Sequence, residues 1–300
     1  MRNRSQIHRC EPDRTGSDGI CSDGTESDSS GSDSRGTDEL EKQTLTTQQI
    51  KVGVQLQQQG SSIDAILEAA RTFDSVGVDS IWVWDHFFPI IGDPNAGSFE
   101  AYSLLAAIAT QTNRATLGVL VTGIAYRNAN LLADMARTID HLSGGRFVLG
   151  LGSGWFQRDY DDYGYEFGTA GDRLRHLERE IGTIKDRLSL LEPPAIGPMP
   201  ILIGGSGPKV TLRITAEHAD AWNSFGPADG FARLSGILDD WCAKVGRNPS
   251  EIERTVTLSV DEVARWQDFV DVGATHLIVM VPHPFDSEKV VDLVSQVSSR

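Results

Sequence analysis

Residues 116–155 read TLGVLVTGIAYRNANLLADMARTIDHLSGGRFVLGLGSGW. The opening run, Thr116 to Thr122, is apolar but too short for a buried helix, which predicts a strand covered on both faces. A different period follows. Leu132, Met135, Ile139 and Leu142 recur at helical spacing, so an amphipathic helix is expected over about 130–142, stopped by Gly144 and Gly145. Arg146 to Leu151 then repeat the strand pattern. Strand, crossover helix and strand, each strand apolar throughout, make the unit of a parallel sheet.

The unit recurs on either side. Upstream, Ile50 to Leu56 and Ser80 to Asp85 read as strands. The helix between them is capped by Ser61 or Ser62 and ended by Gly77, and a second helix is expected from about Phe99 to Thr112. Downstream, a polar, aromatic loop spans Gly152 to Thr169. A long helix follows with Leu174, Leu177, Ile181, Ile184 and Leu188 on one stripe. Strands PILIGG, DAWNSF, RTVTLSV and HLIVMVP then alternate with helices near 209–218, 230–245, 262–272 and 286–298. Eight such units argue for a closed (β/α)8 TIM barrel over an open sheet, and residues 50–300 match the length of about 250 residues usual for that fold.

Residues 1–49 belong to another regime. They are poor in apolar residues and repeat Ser, Asp, Gly and Thr, as in SDGTESDSSGSDSRGTDE. Such a segment cannot bury enough surface to offset its ordering entropy, so a disordered acidic tail is expected there. The whole chain carries a net charge of −15, with 27 Lys+Arg against 42 Asp+Glu. No basic stripe is available for a phosphate backbone, so no nucleic-acid partner is expected. No apolar stretch is long enough to span a membrane and no secretory leader is evident. Three scattered cysteines, Cys10, Cys21 and Cys242, make neither a disulfide framework nor a zinc site. The expectation is a cytoplasmic protein without a bound metal.

In a barrel of this kind chemistry sits where strands run out into loops. The second strand ends Trp84-Asp85-His86-Phe87-Phe88, an imidazole beside a carboxylate, which nominates His86 as an acid/base and Asp85 as the group that sets its tautomer. The fourth ends in Gly150, Gly152, Ser153 and Gly154, where glycines let a ligand approach the backbone. It is not a dinucleotide fingerprint, because no apolar-periodic helix follows. The fifth ends Gly204-Gly205-Ser206-Gly207-Pro208-Lys209, glycine amides leading into a helix, which suits a phosphate. No Walker A spacing is present. His176 and Glu180, four apart on a helix, read as a solvated pair.

Taken together, IWVWDHFFPI, LGVLVTGIAYRNANLLADMARTIDHLSGGRFVLGLGSGW, YGYEFGTAGDRL and PILIGGSGPKVTLRITAEHADAW resemble the luciferase-like monooxygenase superfamily. The likeness is to its actinobacterial branch using the deazaflavin coenzyme F420, and it covers about residues 50–300. The resemblance implies a luciferase-like barrel holding a deazaflavin, or alternatively FMN, at the C-terminal face. It places His86 against the coenzyme ring, with Asp85 as its ring-contacting neighbour. It places Leu120, Val121 and Thr122 under the ring, with a non-prolyl cis peptide at Leu120-Val121. It gives the tail and its phosphate to Gly152, Ser153, Gly154, Gly204, Gly205, Ser206, Gly207 and Lys209. Trp84, Phe87, Trp155 and Phe156 are expected to shape an apolar substrate pocket.

Two departures from the family pattern bear on activity. Trp155 stands where sugar-phosphate dehydrogenase relatives carry a catalytic glutamate, so that reaction is not expected. The connector EPPAIGPM between Leu191 and Pro200 is short where many relatives have an insertion over the active site, which predicts a more open pocket or one closed by a partner subunit. The leading expectation is a deazaflavin-dependent oxidoreductase exchanging hydride with a small organic substrate, and a homodimer at family level. Its rivals are an FMN-dependent monooxygenase using oxygen, a barrel hydrolase pairing Asp85 with Glu100 or Asp159, and a non-catalytic coenzyme-binding barrel.

Overall fold

The computed structural model describes residues 49–299. The tail expected over 1–49, with Cys10 and Cys21, therefore lies outside the described residues apart from its last position. Among the described residues nine strands are formed: β1 (Lys51–Leu56), β2 (Ser80–Val83), β3 (Thr116–Val119), β4 (Thr122–Gly123), β5 (Phe147–Gly152), β6 (Ile201–Gly204), β7 (Ala221–Phe225), β8 (Glu253–Ser259) and β9 (His276–Val281). They lie in the order β3-β2-β1-β9-β8-β7-β6-β5-β4, and β3 also pairs with β5 through Leu117 and Phe147. That last pairing closes the sheet. β3 and β4 are two halves of one stave, interrupted at Leu120-Val121, so the barrel has eight staves, all pairing parallel.

The helices are α1 (Ile63–Val76), α2 (Ala101–Ala109), α3 (Ala129–Ser143), α4 (Gln157–Tyr163), α5 (Ala170–Leu190), α6 (Thr211–His218), α7 (Ala228–Val245), α8 (Trp266–Asp271) and α9 (Glu288–Ser298). Ser62 caps α1 by accepting from the Ala65 amide, and Thr169 with Asp172 forms a capping box on α5. The sequence pattern did not announce α4. Its residues, QRDYDDY, show no apolar period, and what holds it is burial of Asp159 and Tyr160 against the site described below.

Most of the core lies between the sheet and the helices, as the double-sided apolar strands require. A smaller cluster, Trp82, Leu120, Leu202, Ala221 and Ile278, packs across the barrel from opposing staves. Toward the N-terminal ends of the strands, Trp82 Nε1 donates to Ser80 Oγ at 2.7 Å, and Ser80 Oγ lies 2.8 Å from His276 Nε2. Glu253 sits beside this group, 3.6 Å from His276 Nδ1 and 2.7 Å from Lys51 Nζ. Burial alone would raise the Glu253 carboxyl, but His276 and Lys51 outweigh it and hold it at about 2 against an ordinary 4.5. The resulting stabilisation is fully present above the unfolded-state value and is lost as pH falls from about 4.5 toward 2. Glu253→Gln is expected to lower stability at neutral pH by on the order of 1–3 kcal/mol. Chemical denaturation at several pH values should show the gap to wild type closing over that acid range.

The connector from Leu191 to Pro200 is not an active-site cover. It runs from a helix end to a strand start, and in this architecture such loops occupy the N-terminal face. Asp140 Oδ2 accepts from the amides of Ile196 and Gly197 at 2.6 and 3.1 Å, and Arg137 and His141 bind the carbonyls of Pro193 and Pro194. The connector is thus fastened to the last turns of α3. None of the described helices is long and apolar enough to cross a membrane.

Candidate functional site

A cavity of about 500 Å³ lies where the strands end and the loops begin. Its floor is the interruption in the split stave. The Leu120-Val121 peptide is cis, as the resemblance implies, and the Leu120 carbonyl is taken up by Gln55 Nε2 from β1 at 2.6 Å. The glycines expected to admit a ligand have another task here. A Cβ at Gly150 would lie 2.0 Å from the Val119 carbonyl oxygen, one at Gly152 2.5 Å from Val121 Cγ2, and one at Gly204 2.8 Å from Val121 Cγ1. β5 and β6 are stripped of side chains at these points so that the bulged segment can lie against them. Gly154 makes room for Tyr160, whose hydroxyl would meet a Cβ at 1.8 Å, and its φ of +80° suits glycine alone.

His86 forms part of the wall. Its Nδ1 is 2.7 Å from Asp159 Oδ2. Asp159 is wholly buried and also accepts from the Tyr126 hydroxyl at 3.1 Å and from the amides of Phe87 and Phe88 at 3.0 and 3.3 Å. Burial, and then the Asp159 charge, push the Tyr126 phenol far above its ordinary value, so it remains a donor. Nδ1–H therefore points at the carboxylate, and no described group hydrogen-bonds Nε2, which is left as the working atom.

This corrects the assignment of Asp85. Asp85 lines the cavity but does not serve His86. Arg127 grips it with Nη1 on Oδ2 at 2.6 Å and Nη2 on Oδ1 at 2.9 Å, and the Gly123 amide donates to Oδ2 at 3.1 Å. Arg127 Nη2 also reaches Glu100, which caps α2. Burial pushes the Asp85 carboxyl up and the Arg127 charge opposes it. For Arg127 the same burial is outweighed by the carboxylate, which pushes the guanidinium up. With Asp85 and Glu100 joined through one arginine and Asp159 tied to His86, the carboxylate pairs required by the hydrolase reading are already committed.

Most of the other expected residues come together. Leu120, Val121, Thr122, Gly152, Ser153, Gly154, Gly204 and Gly205 line the cavity, and so do Trp84 and Trp155. Five do not. Phe87 turns away to stack on Tyr163 at 4.2 Å, because its backbone amide is drawn to Asp159. Phe156 packs edge-on to His86 at 5.6 Å, behind the wall. Ser206 Oγ pairs with Ser224 Oγ at 2.9 Å, Gly207 packs on Thr211, and Lys209 is exposed beyond the rim. No side chain caps the start of α6 next to them.

The sequence reading missed several groups. Gln55, Asn223, Thr257 and Met280 reach the cavity from β1, β7, β8 and β9, and Ile91 and Phe225 stand at its mouth. Asn223 Nδ2 donates to Thr255 Oγ1 at 2.8 Å, and Thr257 Oγ1 donates to Asn223 Oδ1 at 3.1 Å, a polar rung in an otherwise apolar barrel. A polar residue inside an apolar strand, as in AWNSF or RTVTLS, was the available signal. Trp84 keeps a buried indole N–H without a partner among the described residues, the kind of open donor that calls for an explanation.

Against this geometry the comparisons can be set. The family model described as luciferase-like monooxygenase matches residues 44–261. The 5,10-methylenetetrahydromethanopterin reductase of Methanolobus tindarius is 28% identical over 205 residues, covering 63% of this chain and 58% of that protein. The F420-dependent glucose-6-phosphate dehydrogenase of Amycolatopsis mediterranei is 28% identical over 204 residues, covering 62% and 58%. The chain thus spans little more than half the length of these curated relatives. Among solved structures, an F420-dependent secondary alcohol dehydrogenase in complex with an F420-acetone adduct has a TM-score of 0.73 at 16% identity, covering 83% of this chain and 98% of that one. At that identity the likeness speaks for the barrel itself. The family match extends over most of the described barrel and includes the split stave, His86 and the β5 glycines, so the chain belongs to the luciferase-like monooxygenase family.

Proposed function

We propose that this protein is an oxidoreductase that exchanges hydride with a small organic substrate through a deazaflavin of the F420 type. The observation that carries the reading is His86, anchored through Nδ1 by buried Asp159 and presenting Nε2 at the wall of a cavity at the strand ends. The F420-dependent relatives support the choice of coenzyme.

The residues present suit such a group. The cavity volume falls within the range of cofactor sites. Its surface is apolar at Leu120, Val121 and Met280 and polar at Asn223, Thr257 and Ser153, the distribution a flat ring with carbonyl and N–H edges requires. Ser206, Gly207 and Lys209, at the uncapped start of α6, are the groups to hold the phosphate of its tail. Bound there, a deazaflavin supplies a hydride donor or acceptor, and the organic chemistry is its own.

The chain's residues do the rest. Asp159 fixes the ring plane and tautomer of His86. Nε2 takes a proton from, or returns one to, the substrate oxygen as charge develops there. Arg127 neutralises Asp85, so the wall beside His86 presents no bare charge. Trp155 and His86, edge to face at 5.5 Å, limit the approach of water.

Titration of the full chain with oxidised deazaflavin and, separately, with FMN, followed by fluorescence quenching, tests the assignment. Selective deazaflavin binding, weakened tenfold or more (about 1.4 kcal/mol) by Gly205→Asp, is the expected result. Selective FMN binding would move the protein to oxygen-using chemistry. Binding of neither would overturn the reading, binding without turnover would leave only a coenzyme carrier, and turnover insensitive to His86→Ala would remove His86 from the acid/base role.

A further inference from the structure

We infer that the substrate is an uncharged, predominantly apolar carbonyl compound or alcohol, selected by Phe225, Ile91 and Trp155 at the cavity mouth. The inference rests on the proposed function and narrows it.

The first observation is what the cavity lacks. Among the described residues, no lysine or arginine lines it. The carboxylate that does, Asp85, is neutralised by Arg127 from outside the lining. An anionic substrate entering here would shed water and meet no opposite charge, and an ion desolvated without a partner is strongly disfavoured. It would also approach against the field of a chain with a net charge of −15.

The second observation is what stands at the mouth. Trp155, Phe225 and Ile91 are 61%, 57% and 53% exposed, although all three belong to the cavity lining. They come from three separate places: the loop after β2, the loop after β5, and the end of β7. Single exposed apolar side chains are ordinary, but three converging on one opening are not. Each would be covered by an apolar ligand that fills the mouth. A sugar phosphate, by contrast, would leave them wet and its own charge unpaired.

The third observation fixes orientation. His86 Nε2 stands in the wall beside Trp155 at the mouth, so a single oxygen directed at it is satisfied while the remainder of the molecule faces apolar surface.

A matched pair of ketones tests this: cyclohexanone against 4-oxocyclohexanecarboxylate, with the larger neutral 2-decalone as a third probe. Each is titrated into the full chain loaded with oxidised deazaflavin, and tryptophan fluorescence is followed, so binding is read without turnover. The neutral ketones are expected to bind about tenfold or more tightly than the carboxylate, with 2-decalone tightest because it covers more of the mouth. Phe225→Arg, at a position already exposed, is expected to shrink or reverse that ratio by about tenfold. If the carboxylate binds as tightly as its neutral partner, if no neutral ketone binds, or if Phe225→Arg leaves the ratio unchanged, the inference is overturned. Failure of the deazaflavin to load is a different result and counts against the proposed function itself.

Discussion

Asp159→Asn is expected to lower kcat by about 10²-fold or more while coenzyme affinity changes by less than about threefold. The carboxylate accepts four hydrogen bonds, from His86, Tyr126 and two backbone amides. An asparagine offers one acceptor oxygen and brings an NH₂ that must face a donor. If the oxygen stays with the amides, the NH₂ faces His86, and the imidazole must then turn Nδ1 into an acceptor and carry its proton on Nε2. The working atom would be in the wrong state for removing a proton from a bound alcohol. Steady-state kinetics with coenzyme titration separates this from lost binding. A double mutant supplies the sharper test. Because Asp159 acts through His86, the pair Asp159→Asn with His86→Gln should be little worse than His86→Gln alone. If the two losses multiply, Asp159 has a separate role and the positioning argument fails.

The largest stability effect is expected at Asp85. Its side chain and that of Arg127 are 1% and 9% exposed, and two hydrogen bonds join them. Removing one partner leaves a buried charge, which typically costs about 3–5 kcal/mol. Asp85→Ala should therefore lose about that much in chemical denaturation, reduced to the extent that Glu100 retains Arg127. The same change releases the Gly123 amide and hence β4, so coenzyme binding should weaken as well. Replacing both partners by apolar residues, Asp85→Leu with Arg127→Met, should recover much of the stability, since a buried pair contributes little over a packed isostere. A double mutant as unstable as Asp85→Ala would show that the pair is needed for more than its own neutralisation.

The barrel was legible because its strands are apolar on both faces and its helices are not. IKVGVQL, TLGVLVT and HLIVMVP each read as strands without help from their surroundings. The break in the third stave was not visible from composition, since Leu120 and Val121 continue the apolar run. It became expected only through the family resemblance. The cavity's outline followed from the rule that loops after strands carry the site, and His86 was found that way.

Its partner was misassigned for a simple reason. Asp85 is adjacent in sequence and lines the same cavity, but its carboxylate is taken up by Arg127 and the Gly123 amide and none of it is left for His86. The true partner comes from α4, whose three aspartates, Asp159, Asp161 and Asp162, look alike in sequence. Only contact with β2's loop distinguishes the buried one. Arg127 and Tyr126 were overlooked because the stretch after β3 reads as core and gives no hint that its two polar ends turn inward. The glycine strings were noticed for cavity-lining positions, but one further reason for them was not: Gly152 and Gly204 also yield to Val121, and Gly154 to Tyr160, atoms of the chain itself.

Residues 153–167 combine three things usually scattered over a protein: the aromatic Trp155 at the opening, the carboxylate that governs the imidazole, and the tyrosines that pack behind it. This stretch joins β5 to α5 without contributing a stave. Its exchange for a relative's counterpart would thus be a modular event, leaving the scaffold and the bed of the ring untouched. But the module is not free to vary in every respect. Any replacement must return a buried acceptor to His86, or the new specificity would arrive in an enzyme unable to act on it. Diversification in this lineage is therefore expected to proceed by swapping whole segments that keep that one acid, rather than by drift of single positions within them.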